Sequence, residues 1–233
     1  MDLKVSEAAD VVLRTPMFSS VEPAAVAELV PALRPRTYEA GRSVWLQGDP
    51  ADDLYVLAEG QLKSHRLSRD GGEVILGFTD AIDTAGEVGL FHPSGKRQVN
   101  VTAMTATRCW LLDRESLVSF MTRHPTVMRR MLQRLSTVTV KAAESFSNVA
   151  FRDIRRRTAA ALLALVDEFG EPTASGVRIR LRLSQTTLAA VVAASRENVN
   201  RALSGLIDEG VVSQEEGHFL VHDRSALERA SAT

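Results

Sequence analysis

Ser195-Arg196-Glu197-Asn198-Val199-Asn200-Arg201 places two guanidinium groups and one carboxylate within a single short run. Those groups suit the edges of base pairs: arginine offers a fork to the two acceptors of guanine, and glutamate accepts from the amino group of cytosine. The spacing serves that chemistry only on a helix. Ser195 is a favourable N-cap, so a helix is expected to begin at Arg196. Val199, Ala202, Leu203, Leu206 and Ile207 then fall on one side, and Arg196, Glu197, Asn200 and Arg201 form a polar strip on the other. Glu197 and Arg201 are also an ordinary i,i+4 surface pair, worth a few tenths of a kcal/mol, and the residues alone leave that reading open.

The elements around this strip give it a context. Ser184 caps a run in which Leu188, Val191 and Val192 are apolar, and Ala193-Ala194 separates it from Ser195 by a tight turn. This is a helix-turn-helix pattern, whose second helix enters a major groove. Val177 to Leu183 alternates strictly, with Arg178, Arg180 and Arg182 on one face, as in a half-buried strand with a basic edge. Arg180, Arg182, Ser184, Thr186, Ser195 and Asn200 are the candidates for phosphate contact or positioning. Val211-Val212-Ser213 and His218-Phe219-Leu220-Val221 flank Glu215-Glu216-Gly217, which predicts a hairpin wing with an acidic tip.

A second constellation lies in Gly86-Glu87-Val88-Gly89-Leu90-Phe91 and the following Lys96-Arg97-Gln98. Glycines let backbone N–H groups approach an anion, an arginine supplies a bidentate fork for phosphate oxygens, and a carboxylate accepts from sugar hydroxyls. A surface turn with a solvated arginine has the same pattern. Enzymatic readings find less support: His65 and His92 lack paired metal-ligand spacing, and no Ser-His-Asp or Cys-His arrangement is present. No catalytic residue and no metal ligand is assigned.

The elements that must carry these groups follow in order. Apolar positions at helical spacing between Val5 and Leu33, broken by Pro16 and Pro23, predict short helices. From Thr37 to Leu112 short β-branched runs are punctuated by glycine: Ser43 to Leu46, Leu54 to Ala58, Gln61 to Leu67, Glu73 to Phe78, Val99 to Ala103 and Arg108 to Leu112. Such spacing argues for a jelly roll or barrel. Thr126 to Val149 reads as one long helix with a coiled-coil seam at Met128, Met131, Leu135, Val138, Ala142, Ser145 and Val149, leaving Leu132 and Phe146 for the barrel. Burial of that helix wholly within its own domain is the alternative. Phe151-Arg152-Asp153 marks a hinge, and Asp153 is placed to cap the next helix. Arg155-Arg156-Arg157 reads as a solvated helix face, Thr158 to Phe169 as a helix, and Gly170 to Gly176 as an exposed loop. The domains expected are a jelly-roll sensor over 1–125, a dimerisation helix over 126–150 and a winged helix-turn-helix over 151–233, an α+β chain.

Residues Leu183 to Leu203 resemble the DNA-binding helices of bacterial regulators related to the cyclic AMP receptor protein, the Crp/Fnr family, with S-R-E-N-V-N-R close to the family's S-R-E-T-V-x-R. The resemblance spans about residues 15 to 225. It implies a cytoplasmic transcription regulator rather than an enzyme: a homodimer on double-stranded DNA, reading a palindrome like TGTGA paired with TCACA through Arg196, Glu197 and Arg201, with RNA polymerase as a partner. The run from Gly86 to Gln98 is similar to the family's phosphate-binding cassette, so Gly86, Glu87, Val88, Gly89, Arg97 and Gln98 become candidate ligand residues, Glu87 for a ribose and Arg97 for a cyclic phosphate. Three departures bear on this. Ala193 stands where the turn usually has glycine; Gln98 and Val99 follow Arg97 where the family has Ser or Thr and Ala; and alignment through Phe151 and Asp153 puts Ala142 and Ala143 where hydroxyls would meet adenine. Cyclic AMP is therefore expected to bind weakly or not at all, and a ligand-independent regulator whose jelly roll is only a dimer scaffold is the alternative.

Composition agrees with two domains: 233 residues, 45% hydrophobic, are enough for a core in each. Net charge of −1 gives no global basic field, so any DNA surface must be local. Cys109 is the single cysteine, which excludes an internal disulfide and any multi-cysteine metal site. Met1-Asp2-Leu3-Lys4 lacks the export pattern and no uncharged apolar run reaches about 18 residues, so no membrane partner is expected.

Overall fold

The computed structural model describes residues 3–232; Met1 and Asp2, part of the opening read for an export pattern, lie outside the described residues. The chain packs as two compact units, one running to Arg66 and resuming over Leu76–Lys141, the other formed by Leu67–Ile75 and the chain from Ala142 onward.

The first unit opens with helices α1 (Leu3–Arg14) and α2 (Pro23–Val26) and a single 3-10 turn at Val30–Ala32. Eight strands follow: β1 (Leu33–Tyr38), β2 (Ser43–Trp45), β3 (Asp53–Glu59), β4 (Leu62–Leu67), β5 (Glu73–Thr79), β6 (Thr84–Ala85), β7 (Asn100–Ala103) and β8 (Thr107–Asp113), with helix α3 (Glu87–Phe91) between β6 and β7. They form two sheets, ordered β1-β8-β3-β6 and β2-β7-β4-β5, as a jelly roll requires. Period-two alternation along β3 divides its side chains between two cores. Tyr55 and Leu57 join Trp45, Leu62, Val101, Cys109 and Leu111 between the sheets. Leu54 and Val56 join Trp110 and Leu112 under a helical layer that supplies Val12, Phe18, Leu117, Phe120, Val127 and Met131. β1 had no apolar alternation to reveal it; it is an edge strand paired only with β8, which is where Pro35 is tolerated.

Helix α4 (Arg114–Arg123), capped by Asp113 accepting from the Ser116 N–H, leads into the long helix α5 (Pro125–Phe151). The register of α5 differs from the expected seam. Met131 is only 2% exposed and packs in its own domain core, with Leu135 partly buried beside it, so Met131 is unavailable to a second subunit. Leu132 and Phe146, expected to lie on the barrel, are 62% and 74% exposed instead. The reason is geometric: Val127 and Met131 are the pair that falls on the barrel face, which turns Leu132 outward.

The second unit contains α6 (Ile154–Phe169), β9 (Gly170–Thr173), β10 (Gly176–Ile179), α7 (Gln185–Val192), α8 (Arg196–Asp208), β11 (Val212–Glu215), β12 (His218–Val221) and α9 (Arg224–Ser231). Its sheet is ordered β11-β12-β10-β9. The segment read as a loop after Phe169 is β9, which pairs with β10 from Gly170↔Ile179 to Thr173↔Gly176. β10 ends at Ile179, yet the alternation persists to Leu183: Ile179, Leu181 and Leu183 are fully buried, while Arg178, Arg180 and Arg182 are exposed. The wing turns through Glu216 and Gly217, both at positive φ (49° and 83°), as a two-residue hairpin loop needs.

Candidate nucleic-acid interface and sensor cassette

α8 is set by one buried stripe and one cap. Val199, Leu203 and Leu206 are buried, and the Ser195 hydroxyl accepts from the Asn198 N–H at 3.4 Å. The opposite strip faces out. Arg201 donates to Glu197 Oε1 at 3.1 Å, with side-chain exposures of 74% and 83%, so the two charged groups are held near each other yet stay accessible. Arg196 is exposed as well. Asn200 is half-buried and its carboxamide oxygen has no hydrogen-bond partner among the described residues. Ser184 caps α7 by accepting from the Thr187 N–H at 3.0 Å and shares a bond with the Thr187 hydroxyl, while Thr186 is exposed beside it. The hydroxyls of Ser184 and Ser195 are thus committed to helix ends, whose N–H groups remain the anion-facing feature.

Between α7 and α8, Ala193 adopts the left-handed conformation, φ 54° and ψ 48°, where the expected strain falls. The arginine run upstream is not a solvated face. Arg157 Nη2 donates to the carbonyls of Val192 and, at 2.7 Å, Ala193. Arg155 Nη2 donates to both carboxylate oxygens of Glu209 at 2.7 Å, and its guanidinium lies so close to Gly205 that a Cβ there would stand 2.7 Å from Nη1. Arg156 stays outward, 3.7 Å from Asp153.

The cassette in the first unit is built around two arginines. Gly86, at φ 103°, starts α3, and a Cβ on it would stand 2.6 Å from Arg97 Nη1. Glycine is required there to seat a guanidinium. Arg97 is 3% exposed; Nη1 donates to Gly86 O at 3.1 Å and Nη2 to Asp53 O at 2.8 Å, and its Cζ lies 4.3 Å and 5.3 Å from the ring centres of Trp45 and Tyr55. Burial pulls its pKa below the ordinary arginine value, against the opposing effect of Tyr55 and nearby carboxylates.

The second guanidinium comes from α5 and was not singled out in the sequence. Arg134 Nε donates to Glu87 Oε1, Nη1 to both oxygens of Asp83 at 3.0 Å, and Nη2 to Thr84 O at 2.7 Å. Burial works against its charge, but Glu87 and Asp83 outweigh it and hold its pKa above the usual arginine range. Gln98 turns its amide to Ser94 Oγ and Lys96 O, at 3.1 and 2.8 Å, leaving it no free donor aimed into the cassette. Val88 is 42% exposed on the outer side of α3, while Gly89 is buried against Ala51 and Lys96. The expected place of Ala142 and Ala143 changes too. Arg134 is the α5 residue that reaches the cassette, and a rise of about 1.5 Å per residue sets Ala142 roughly 12 Å farther along. Val138 and Thr139, one turn beyond Arg134, are the nearer positions, and the two alanines lie about one turn farther still. Three buried polar atoms here have no partner among the described residues: Glu87 Oε2, Thr84 Oγ1 and Arg97 Nε. The Glu87 oxygen and the Thr84 hydroxyl in that state fit the sugar half of a nucleotide; the Arg97 Nη groups are engaged by the chain's own carbonyls, which leaves its Nε–H as the unpaired donor.

Elsewhere the described residues hold no group of three or more His, Cys, Asp or Glu side chains arranged for a metal ion, and no helix long and apolar enough to cross a membrane.

A jelly roll followed by a long helix and a winged helix-turn-helix with an outward charged strip defines a DNA-binding transcription regulator with a sensor-type domain. The comparisons agree: residues 35–124 match the cyclic nucleotide-binding domain and residues 156–230 the Crp-like helix-turn-helix domain. The chain belongs to the Crp/Fnr family of transcription regulators. It is 31% identical over 220 residues to a CRP-like cAMP-activated global transcriptional regulator of Mycobacterium tuberculosis, covering 94% of this chain and 98% of that protein. It is 28% identical over 214 residues to the cyclic AMP receptor protein of Thermus thermophilus, covering 92% and 95%. Among solved structures, FixK2 from Bradyrhizobium japonicum superposes with a TM-score of 0.76 at 20% identity over 86% of this chain and 98% of that one, a likeness of fold.

Proposed function

We propose that the protein acts as a homodimer on a two-fold DNA site like TGTGA paired with TCACA. Arg196, Glu197 and Arg201 read base edges, while Arg180, Arg182 and the N-termini of α7 and α8 position the phosphate backbone. The observation that carries this is the outward, capped strip on α8, whose charged tips are largely exposed while Val199, Leu203 and Leu206 on the opposite side are buried. Dimerisation follows from α5 through a seam that keeps Met128, Leu135, Ala142 and Val149 of the one read in the sequence and replaces Met131, Val138 and Ser145 by Leu132, Thr139 and Phe146, at alternating spacings of four and three. Exposure of Met128, Leu132, Phe146 and Val149 supports it. Contact with RNA polymerase is part of this reading. Arg201→Ala should cost about 1–3 kcal/mol on the specific site and little on random duplex; equal losses on both would remove its base-reading role.

For the effector, the cassette favours a cyclic nucleotide held weakly. Glu87 Oε2 and Thr84 Oγ1 are ready for sugar hydroxyls, but a phosphate must draw Arg97 from two backbone carbonyls. At about 0.5–1.5 kcal/mol per hydrogen bond, that competition lowers affinity roughly five- to a hundredfold. Calorimetry decides it: low-micromolar cyclic AMP binding, abolished by Arg97→Ala and needed for specific DNA binding, would contradict the weak-binding reading. A regulator that binds DNA without any ligand is the second reading, favoured by the bonds that hold Arg134 to Glu87, Asp83 and Thr84 and the two Arg97 Nη groups to Gly86 and Asp53 within the chain.

A further inference from the structure

We propose that Arg157 is a positioning residue for DNA reading, holding the left-handed turn that sets α8 on α7 in a chain that has alanine where a glycine would adopt that turn freely. The inference rests on α8 being the base-reading helix and adds what fixes its direction.

Ala193 sits at φ 54°, ψ 48°, a conformation in which a Cβ crowds the following carbonyl, costing a non-glycine residue about five- to thirtyfold in population. Something must hold it there. The Ala194 N–H donates to Ala189 O at 3.1 Å, which closes the turn but leaves the last carbonyls of α7 without intrahelical donors. Arg157 reaches those carbonyls: one guanidinium nitrogen takes both Val192 O and Ala193 O, at the negative end of the α7 dipole. A guanidinium bound in that way is not available to a DNA phosphate. Two residues earlier, Arg155 holds Glu209, the C-cap of α8, with two bonds of 2.7 Å. The first turn of α6 thereby holds the turn that leads into α8 and the C-cap of α8 itself, and α6 begins at its Asp153 cap directly after α5 ends at Phe151.

The test uses the full-length protein, a duplex that the wild-type protein itself selects from a random pool, and four chains: wild type, Arg157→Met, Ala193→Gly and the double variant. Arg157→Met should weaken binding to the selected duplex about tenfold or more while random-duplex binding moves less than about twofold. Ala193→Gly alone should change affinity little, and in the Arg157→Met background it should recover most of the loss, because glycine adopts the turn without help. Without DNA, the Ala194 amide should exchange with solvent about tenfold faster in Arg157→Met and return toward the wild-type rate in the double variant. Arg157→Met binding as wild type does, an equal loss in both backgrounds, or an unchanged Ala194 exchange rate would each overturn the proposal. Should Arg157→Met fail to fold by circular dichroism, Arg157→Lys is read the same way, since an ammonium lacks the planar fork; a smaller loss recovered by Ala193→Gly is expected, and a loss that glycine does not recover overturns it. Failure of the base-reading assignment is distinguishable, because wild-type protein would then select no sequence while the exchange measurement still reports on Arg157.

Discussion

Replacing Arg134 by methionine should destabilise the jelly roll by about 3 kcal/mol, because it leaves Glu87 and Asp83 without the cation that compensates them. Breaking a buried ion pair by removing one partner costs about 3–5 kcal/mol, most of it from the charge left behind. Glu87 is 4% exposed and carries the full penalty, whereas the Asp83 carboxylate keeps some water and hydration relieves part of it, which places the total at the lower end. For a protein of this length about 1 kcal/mol moves Tm by roughly 2–4 °C, so a fall of about 6–12 °C is expected. The assay is built into the chain. Both tryptophans, Trp45 and Trp110, are buried in the jelly-roll cores, so their emission follows unfolding of that unit. Glu87→Gln should be destabilising in the wild-type background but stabilising beside Arg134→Met, since it removes the orphaned charge. A Tm shift below about 2 °C for Arg134→Met, or the same cost for Glu87→Gln in both backgrounds, would refute the reasoning and with it the view that α5 is tied electrostatically to the cassette.

The register of α5 separates two neighbouring substitutions. Leu132→Glu should dissociate the dimer in sedimentation while leaving tryptophan emission native, whereas Met131→Glu should unfold the jelly roll, at a cost of several kcal/mol for a buried unpaired charge; the opposite pattern would restore the seam first read in the sequence. Burial pushes the Cys109 thiol up to about 12, so folded protein should resist alkylation at pH 8.5 and react only on unfolding; rapid labelling of native protein would contradict that burial. A raised folded pKa on an acid means the unfolded chain releases its proton first, so the contribution is intact below about pH 8.5 and falls by up to about 1.4 kcal/mol per unit above it. Cys109→Ala should remove that alkaline slope in urea titrations, and an unchanged slope would assign it to other groups.

Much of the fold was legible because it is written in local signals. Ser184, Ser195 and Asp153 cap the helices they were expected to cap, and six predicted strands appear within a residue or two of their ends. What was not legible depends on contacts distant in sequence. Arg134 is an unremarkable charge on a helix until Asp83 and Glu87 are beside it. Arg157 belongs to an ordinary basic run until the fold brings it to the turn at Ala193. On α5 the place of Met131 was not legible because Met131 and Leu132 are both apolar, and only the barrel decides which of them turns inward. Helix α4 was legible and overlooked: Asp113 caps it, and Leu117, Phe120 and Met121 have helical spacing.

Selection of bound duplexes from a random pool by the wild-type protein, followed by sequencing, tests the central claim most directly. The account predicts a two-fold sequence, each half resembling TGTGA, with half-site centres about one helical turn or roughly 34 Å apart, and loss of preference at one G·C pair per half-site in Arg201→Ala. Recovery of an unsymmetrical site, of a palindrome indifferent to Arg196, Glu197 and Arg201, or of no preferred sequence would contradict it.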